Sequence, residues 1–475
     1  MNGPIRKVTV FVALMMAALL LNLTQISVVQ TEALNAEQRN RRIMDAEFAQ
    51  PRGAILVGNQ PIAQSVPRSG RFPFVRTYPD GELWSTVTGW YSYDYARSGL
   101  EASYTEEMAG TSSEQSVERV IDLLSGRRTQ GANISTTLNA RAQAAAVRAL
   151  GSQRGAAIAM NYETGEILAL VSTPTYDPNR LATVDLDAER AAWAELIDAE
   201  DEPLKNRATR EVYPPGSTFK LITAAAALED GLVPSSELDA PASLRLPNSS
   251  RSMGNSTNCG GETVTLEQAL KTSCNTAFGS LAISLGPDKL QAMAEAFGFN
   301  SEPTIDIGAA ESRFPTELDL AQTALSAIGQ YDVAASPLQM LQVAAAIAND
   351  GVLMRPHLVN TVTSEDLTVL SAQGPERLSS PISASSAELL QQMMVATVED
   401  GTGRPARVDG LVVGGKTGTA QTAPDRPPYA WFVGYAEDPK VAIVAFVEDA
   451  DVARDDISGG RVAAPIFTAI LEALR

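Results

Sequence analysis

Histidine is almost missing from this chain: among 475 residues there is one, His357, next to Pro356 in an otherwise plain stretch. A reactive serine would therefore have to find another base, and a histidine-built metal site lacks its ligands, so no metal and no cofactor is expected. Positive charge is also short. Lys and Arg number 37 against 56 Asp and Glu, a net charge of −19, which weighs against nucleic acid, since that would need a basic stripe, and against tight binding to anionic lipid heads. The acidic excess selects no substrate, and runs such as 448–456 read as solvated faces. Internal repeats and long low-complexity linkers are absent as well. Cysteine occurs only as Cys259 and Cys274.

What is present begins with Ser217-Thr218-Phe219-Lys220, set after Tyr213-Pro214-Pro215-Gly216. The prolines cannot continue a preceding helix, Gly216 relieves the turn, and the apolar run 219–228, stopped by Gly231, predicts a buried helix opened by Ser217. A serine three residues before a lysine puts hydroxyl and amine on one helical face. Burial and the positive end of the helix dipole both lower a lysine pKa, so Lys220 could sit neutral and take the Ser217 proton. The four-residue pattern also arises by chance and gains meaning only from companions.

Two companions follow in order. Ser273-Cys274-Asn275 comes after residues 263–272, which read as a short helix with Leu266 and Leu270 on one face, so the triplet falls at a helix end. There a hydroxyl can relay a proton and an amide can hold a carbonyl. Lys416-Thr417-Gly418-Thr419 follows and continues an extended run, 411–415, and precedes two further strand-like runs, 430–435 and 441–447, an antiparallel meander. Lys416 and Gly418 share one face by the period of two, and bare Gly418 would let a substrate backbone approach, with the Lys416 charge and the Thr417 and Thr419 hydroxyls meeting a terminal carboxylate. Together the three elements supply the parts of one acyl-transfer site.

With these motifs, the chain resembles the class B penicillin-binding proteins, monofunctional peptidoglycan D,D-transpeptidases. Further segments carry the likeness in family order: Gly165-Glu166-Ile167-Leu168-Ala169-Leu170, Pro174-Thr175-Tyr176-Asp177-Pro178-Asn179, Asn206-Arg207-Ala208, Ala327-Ile328-Gly329-Gln330 and Ser336-Pro337-Leu338-Gln339-Met340. The likeness covers nearly everything from Pro51 onward, and the short length with the 91–107 region is most similar to the actinobacterial PbpA-type members. It implies an α+β fold, an antiparallel sheet flanked by helices, with an elongated non-catalytic N-terminal module of pedestal or dimerisation type.

Carried over by residue, the resemblance implies Ser217 as nucleophile, Lys220 as its base, Ser273 as proton relay, Asn275 as ligand of the substrate amide, and Lys416, Thr417, Gly418 and Thr419 as the carboxylate-binding strand. The backbone N–H groups of Ser217 and Thr419 would form the oxyanion hole. The implied reaction acylates Ser217 with a stem pentapeptide, releases D-alanine and passes the acyl group to an amine on a neighbouring stem. β-Lactams would trap the same serine. Implied partners are the donor and acceptor stems, β-lactams, the membrane, and cell-wall synthesis and division proteins. Rival readings are a D-alanyl carboxypeptidase or β-lactamase, with water as acceptor, and a non-catalytic penicillin-binding scaffold.

Arg6 and Lys7 precede 22 uncharged residues, 8–29, about the 20 that cross a hydrocarbon core. They predict a single membrane-spanning helix, cytoplasmic at its amino terminus, with the remainder outside; 31–33 is only a weak cleavage site, and Arg39, Arg41 and Arg42 run against the charge rule. The expected division is 1–30 tip and anchor, 31–150 non-catalytic module, and 151–475 transpeptidase domain. In the first module 113–125 reads as a small amphipathic helix, and Arg52, Arg97 and Glu101 read as ties between its loops and the second domain. Outside the cytoplasm Cys259 and Cys274 are either a disulfide or two thiols, one of them inside the functional triplet.

Overall fold

The computed structural model describes residues 2–30, 41–115, 125, 130–423 and 426–475. The 31–33 cleavage candidate and Arg39 lie outside the described residues, as do residues 116–124 of the helix expected over 113–125.

The architecture is α+β. A five-stranded antiparallel sheet runs in the order Val413–Ala420, Tyr429–Ala436, Val441–Asp449, Arg154–Asn161 and Ile167–Thr173. The meander predicted from the sequence is its first three strands, in register from Val413 opposite Ala436 to Ala420 opposite Tyr429. Its central strands are apolar at nearly every position because both faces are covered. Ala157, Phe432, Ile443 and Ala445 pack with helices Ala140–Leu150 and Ala464–Leu474, while Ile158, Trp431, Val433 and Phe446 alternate onto the main core on the opposite face. The period of two thus divides one sheet between two cores.

The main core is largely helical. Lys220–Glu229 is buried at nine of its ten positions, and it packs among Leu266–Thr272, Asn275–Leu285, Pro287–Ala296 and Ala384–Asp400. The helix expected over 263–272 is shorter: Thr263–Thr265 is a strand paired with Glu237–Asp239, and the helix begins at Leu266. β-Branched Thr-Val-Thr suits an extended backbone, and the Thr265 hydroxyl accepts the Gln268 N–H as N-cap.

The N-terminal module contributes four strands to a six-stranded sheet, ordered Val369–Ala372, Val359–Thr363, Asn133–Thr136, Ile55–Val57, Gln60–Pro67 and Phe74–Thr77. Its first two strands come from the distant 359–372 hairpin. Helix Ala140–Leu150, just before the expected join at 151, packs on the five-stranded sheet.

Arg52 and Glu101 tie the first module to itself rather than to the second domain. Glu101, fully buried, accepts Arg52 Nε and Arg76 Nε, each at 2.6 Å, and Tyr78 OH at 3.2 Å. Arg97 pairs with Glu47 in the same module. The ties across to the second domain are others: Glu189 accepts the Tyr93 N–H at 2.9 Å, and the Tyr95 ring stacks on Trp193 at 4.4 Å.

At the amino terminus Asn2–Thr24 is helical, and residues 3–27 form an apolar helix long enough to cross a membrane, none of it buried against the protein.

Candidate active site

Gly216 adopts φ +54, and the chain then makes a 3-10 turn, Gly216–Phe219, before Lys220 starts the α-helix. The expected α-helical turn is therefore tighter. In a 3-10 turn residues i and i+3 eclipse, which aligns Ser217 directly with Lys220. The turn is braced from several elements. Gly216 N–H donates to Gly329 O at 3.0 Å, and Trp431 Nε1 donates to Pro214 O at 3.1 Å.

The sheet's edge strand lies against this turn. A Cβ on Gly418 would sit 2.8 Å from Thr218 Cγ2 and 3.0 Å from Pro215 O, and one on Gly216 would sit 2.9 Å from Thr419 O. The missing side chain at Gly418 thus makes room for the Ser217 turn, in addition to the substrate role expected for it. Lys416 and Gly418 face this turn and its helices, as the period of two requires. Thr417 and Thr419 face the other way: Thr417 Oγ1 is 2.8 Å from Thr402 Oγ1, and Thr419 Oγ1 accepts Gly459 N–H at 3.4 Å.

Ser273 caps helix Leu266–Thr272 in the left-handed conformation, φ +60, which turns its hydroxyl into the core. There Lys220 Nζ donates to Ser273 O at 2.8 Å, Ser273 Oγ at 3.2 Å and Asn275 Oδ1 at 2.7 Å. Lys416 Nζ reaches the same Ser273 Oγ at 2.9 Å and donates to Thr417 O at 3.0 Å. Asn275 Nδ2 donates to Gly254 O at 3.1 Å. Among the described residues no hydrogen bond joins Lys220 Nζ to Ser217 Oγ. The amine's direct hydroxyl partner is Ser273.

Both amines are fully buried. Burial drives Lys220 well below the ordinary lysine range, and the neighbouring Lys416 charge pushes it further; burial alone lowers Lys416 to about 7. Among the described residues no carboxylate pairs with either amine. His357 is buried with Nδ1 3.3 Å from Arg355 O, and among the described residues it makes no hydrogen bond to the site. Cys259 and Cys274 are joined, their Cα atoms 5.2 Å apart.

All the site residues selected from the sequence fall into this one region, on the turn, the helix end and the edge strand. Sequence reasoning passed over Thr402, Trp431 and Asn255. Gly329 enters the sequence reading only within the Ala327-Ile328-Gly329-Gln330 segment, and its positive φ of +68 beside the Ser217 turn gives that glycine its physical reason.

A serine on a braced turn beside buried amines and an amide can take up an acyl group and move the proton without histidine, which is serine–lysine acyl-transfer chemistry. Comparison with known proteins agrees. Residues 155–472 match the family described as penicillin binding protein transpeptidase domain, and 52–134 match the penicillin binding protein A dimerisation domain. The chain belongs to the penicillin-binding protein transpeptidase family. It is 42% identical to the peptidoglycan D,D-transpeptidase PbpA of Mycolicibacterium smegmatis, covering 100% of this chain and 99% of that protein. Penicillin-binding protein A of M. tuberculosis, solved as its ceftriaxone acyl-enzyme complex, is 39% identical with a TM-score of 0.87, over 90% of this chain and 99% of that one. The imipenem acyl-enzyme of the same protein gives a TM-score of 0.85 at 39% identity, over 90% and 99% of the two chains.

Proposed function

We infer that this chain crosslinks peptidoglycan as a serine-type D,D-transpeptidase and is acylated by β-lactams. The Mycolicibacterium smegmatis relative carries that activity in its name, and the solved neighbours are acyl-enzymes. The observation that carries the site assignment is the convergence of Lys220 and Lys416 on Ser273 Oγ beside the Ser217 turn.

In this proposal Ser217 attacks the carbonyl between the two terminal D-alanines. Its proton passes to neutral Lys220, and Ser273, bonded to both amines, carries it toward the leaving D-alanine nitrogen. The backbone N–H groups of Ser217 and Thr419 hold the developing oxyanion; backbone contact between their two segments supports this. Asn275 holds a substrate amide carbonyl with its Nδ2. Lys416 on one face of the edge strand and the Thr417 and Thr419 hydroxyls on the other meet the terminal carboxylate across the strand's free edge, Gly418 letting strand and turn meet. An amine of a neighbouring stem then resolves the acyl-enzyme.

The division into anchor (1–30), non-catalytic module (31–150) and transpeptidase domain (151–475) belongs to the same proposal, with helix Ala140–Leu150 and the 359–372 hairpin tying the two modules together. The apolar N-terminal helix fits a single-pass anchor. We place the amino terminus in the cytoplasm and the catalytic domain outside, where the wall substrate is, working with cell-wall synthesis and division proteins.

The test supplies the full-length protein in detergent with a pentapeptide donor and an amine acceptor. Crosslinked product is expected. Hydrolysed tetrapeptide alone would reassign the chain as a carboxypeptidase, and no turnover with intact penicillin binding would reassign it as a scaffold.

A further inference from the structure

Helix Asn275–Leu285 begins in the active site, yet its N-cap residue cannot cap it. Cys274 occupies that position, its sulfur is engaged with Cys259, and it makes no side-chain cap hydrogen bond. The first N–H groups of a helix have no partner within it, and a buried one left unpaired costs stability and lets the turn fray. Thr276, the second residue of this helix, is fully buried.

Its N–H is met from elsewhere. Asn255, about twenty residues upstream after strand Ser252–Gly254, places Oδ1 3.0 Å from Thr276 N and Nδ2 2.9 Å from Thr276 Oγ1. The amide thus makes both of its bonds to one residue, in the manner of a cap supplied from a separate strand. The adjoining residue does the complementary task, since Gly254 O accepts Asn275 Nδ2 at 3.1 Å. Thr257 adds a third tie, donating its hydroxyl to Thr272 O at 2.6 Å. Segment 254–257 is therefore laced to both sides of Ser273 and Asn275.

We propose that Asn255 is a positioning residue for acylation: by capping the helix at Thr276 it fixes Asn275, whose amide then holds the ligand's carbonyl. Asn275 has two N–H bonds. Gly254 O takes one, and the other remains to donate to the ligand, its direction set by the Gly254 and Lys220 bonds together. Freeing Thr276 lets the first helical turn shift, and a displacement of order 1 Å at a binding group costs about a hundredfold in rate. Lys220 keeps its bonds to Ser273, so the nucleophile's activation is disturbed less than amide recognition. The inference rests on the assignment of Asn275 to the ligand amide made above.

The two effects separate by ligand. A penicillin carries an acylamino carbonyl for Asn275; a carbapenem such as imipenem carries a hydroxyethyl group and no such carbonyl. In the full-length protein, Asn255→Leu is expected to slow acylation by benzylpenicillin about tenfold to a hundredfold and by imipenem far less. Asn255→Asp, which keeps the acceptor oxygen for Thr276 N–H, is expected to restore the penicillin rate. Equal losses for both ligands, or no loss for either, would overturn the proposal. Should Asn255→Leu not fold, Thr276→Val, which removes only the hydroxyl facing Asn255 Nδ2, is expected to show the same selectivity at smaller size, and its absence would count equally against the idea. Ser217→Ala serves as the control in the same assay. If it still acylates, the nucleophile assignment fails, whatever the Asn255 variants do.

Discussion

The amines of Lys220 and Lys416 end on one oxygen, Ser273 Oγ, at 3.2 and 2.9 Å. Two buried ammonium groups that meet no carboxylate among the described residues cannot both keep their protons, so the pair titrates in two coupled steps. Burial and its neighbour's charge make Lys220 the first to lose its proton, and Lys416 follows at about 7.

The pH dependence of acylation follows from that order. A base with a lowered pKa is neutral above it, so the rate rises as pH climbs through the Lys220 step. Lys416 attracts a carboxylate only while charged, so the rate for a carboxylate ligand falls again above about 7. Stopped-flow acylation by benzylpenicillin should give a bell, and its methyl ester should give the rise without the fall. Matching profiles for acid and ester would remove Lys416 from carboxylate binding.

Ser217→Ala should abolish the covalent adduct with labelled penicillin, read as label on the protein band or as intact mass. Lys220→Ala should slow acylation about 10²- to 10⁴-fold, with circular dichroism unchanged. Normal acylation in that variant would assign the proton to another group.

Gly329 is braced against the nucleophile turn so closely that a Cβ would lie 2.2 Å from Gly216 O, at φ +68. Gly329→Ala must therefore push Ser217 off its place or distort its own backbone. We expect about 1–3 kcal/mol lower stability in thermal unfolding, together with slowed acylation. An unaffected rate would mean that the turn adapts.

Glu101 is the shared counter-charge of Arg52 and Arg76, and all three are buried. Glu101→Gln leaves buried guanidinium groups undercompensated, a loss of about 3–5 kcal/mol. Denaturant unfolding should show it first in the N-terminal module.

Cys259 and Cys274 close a loop with a sequence separation of 15. Alkylation under denaturing conditions without reductant should leave both unmodified, and reduction should lower stability by about 3 kcal/mol. Two alkylated thiols in the unreduced protein would show that the bond does not form.

The three site motifs were legible because each is local. Ser217 and Lys220 announce themselves by spacing, Lys416 and Gly418 by alternation on a strand, and Ser273 and Asn275 by their place after a helical pattern. The 263–265 strand was missed because Leu266 and Leu270 set a helical rhythm that β-branched residues broke just upstream. Asn255 gave no signal, since its partner lies 21 residues away in sequence. The Arg52 and Glu101 ties pointed to the wrong domain for a related reason: Arg76, the third member, stands 25 residues from Glu101.

By itself the sequence determined the chemical inventory: a serine and lysine one turn apart, a single histidine, a lysine on a strand, and an apolar helix at the amino terminus. Only the tertiary structure decided that Lys220 bonds Ser273 and Asn275, that Gly418 is bare to admit the Ser217 turn, and that residues 359–372 complete the N-terminal sheet. Local spacing and periodicity are imposed by backbone geometry and can be read along the chain. Contacts between distant segments are chosen by packing and burial in three dimensions, and leave no periodic trace in the order of residues.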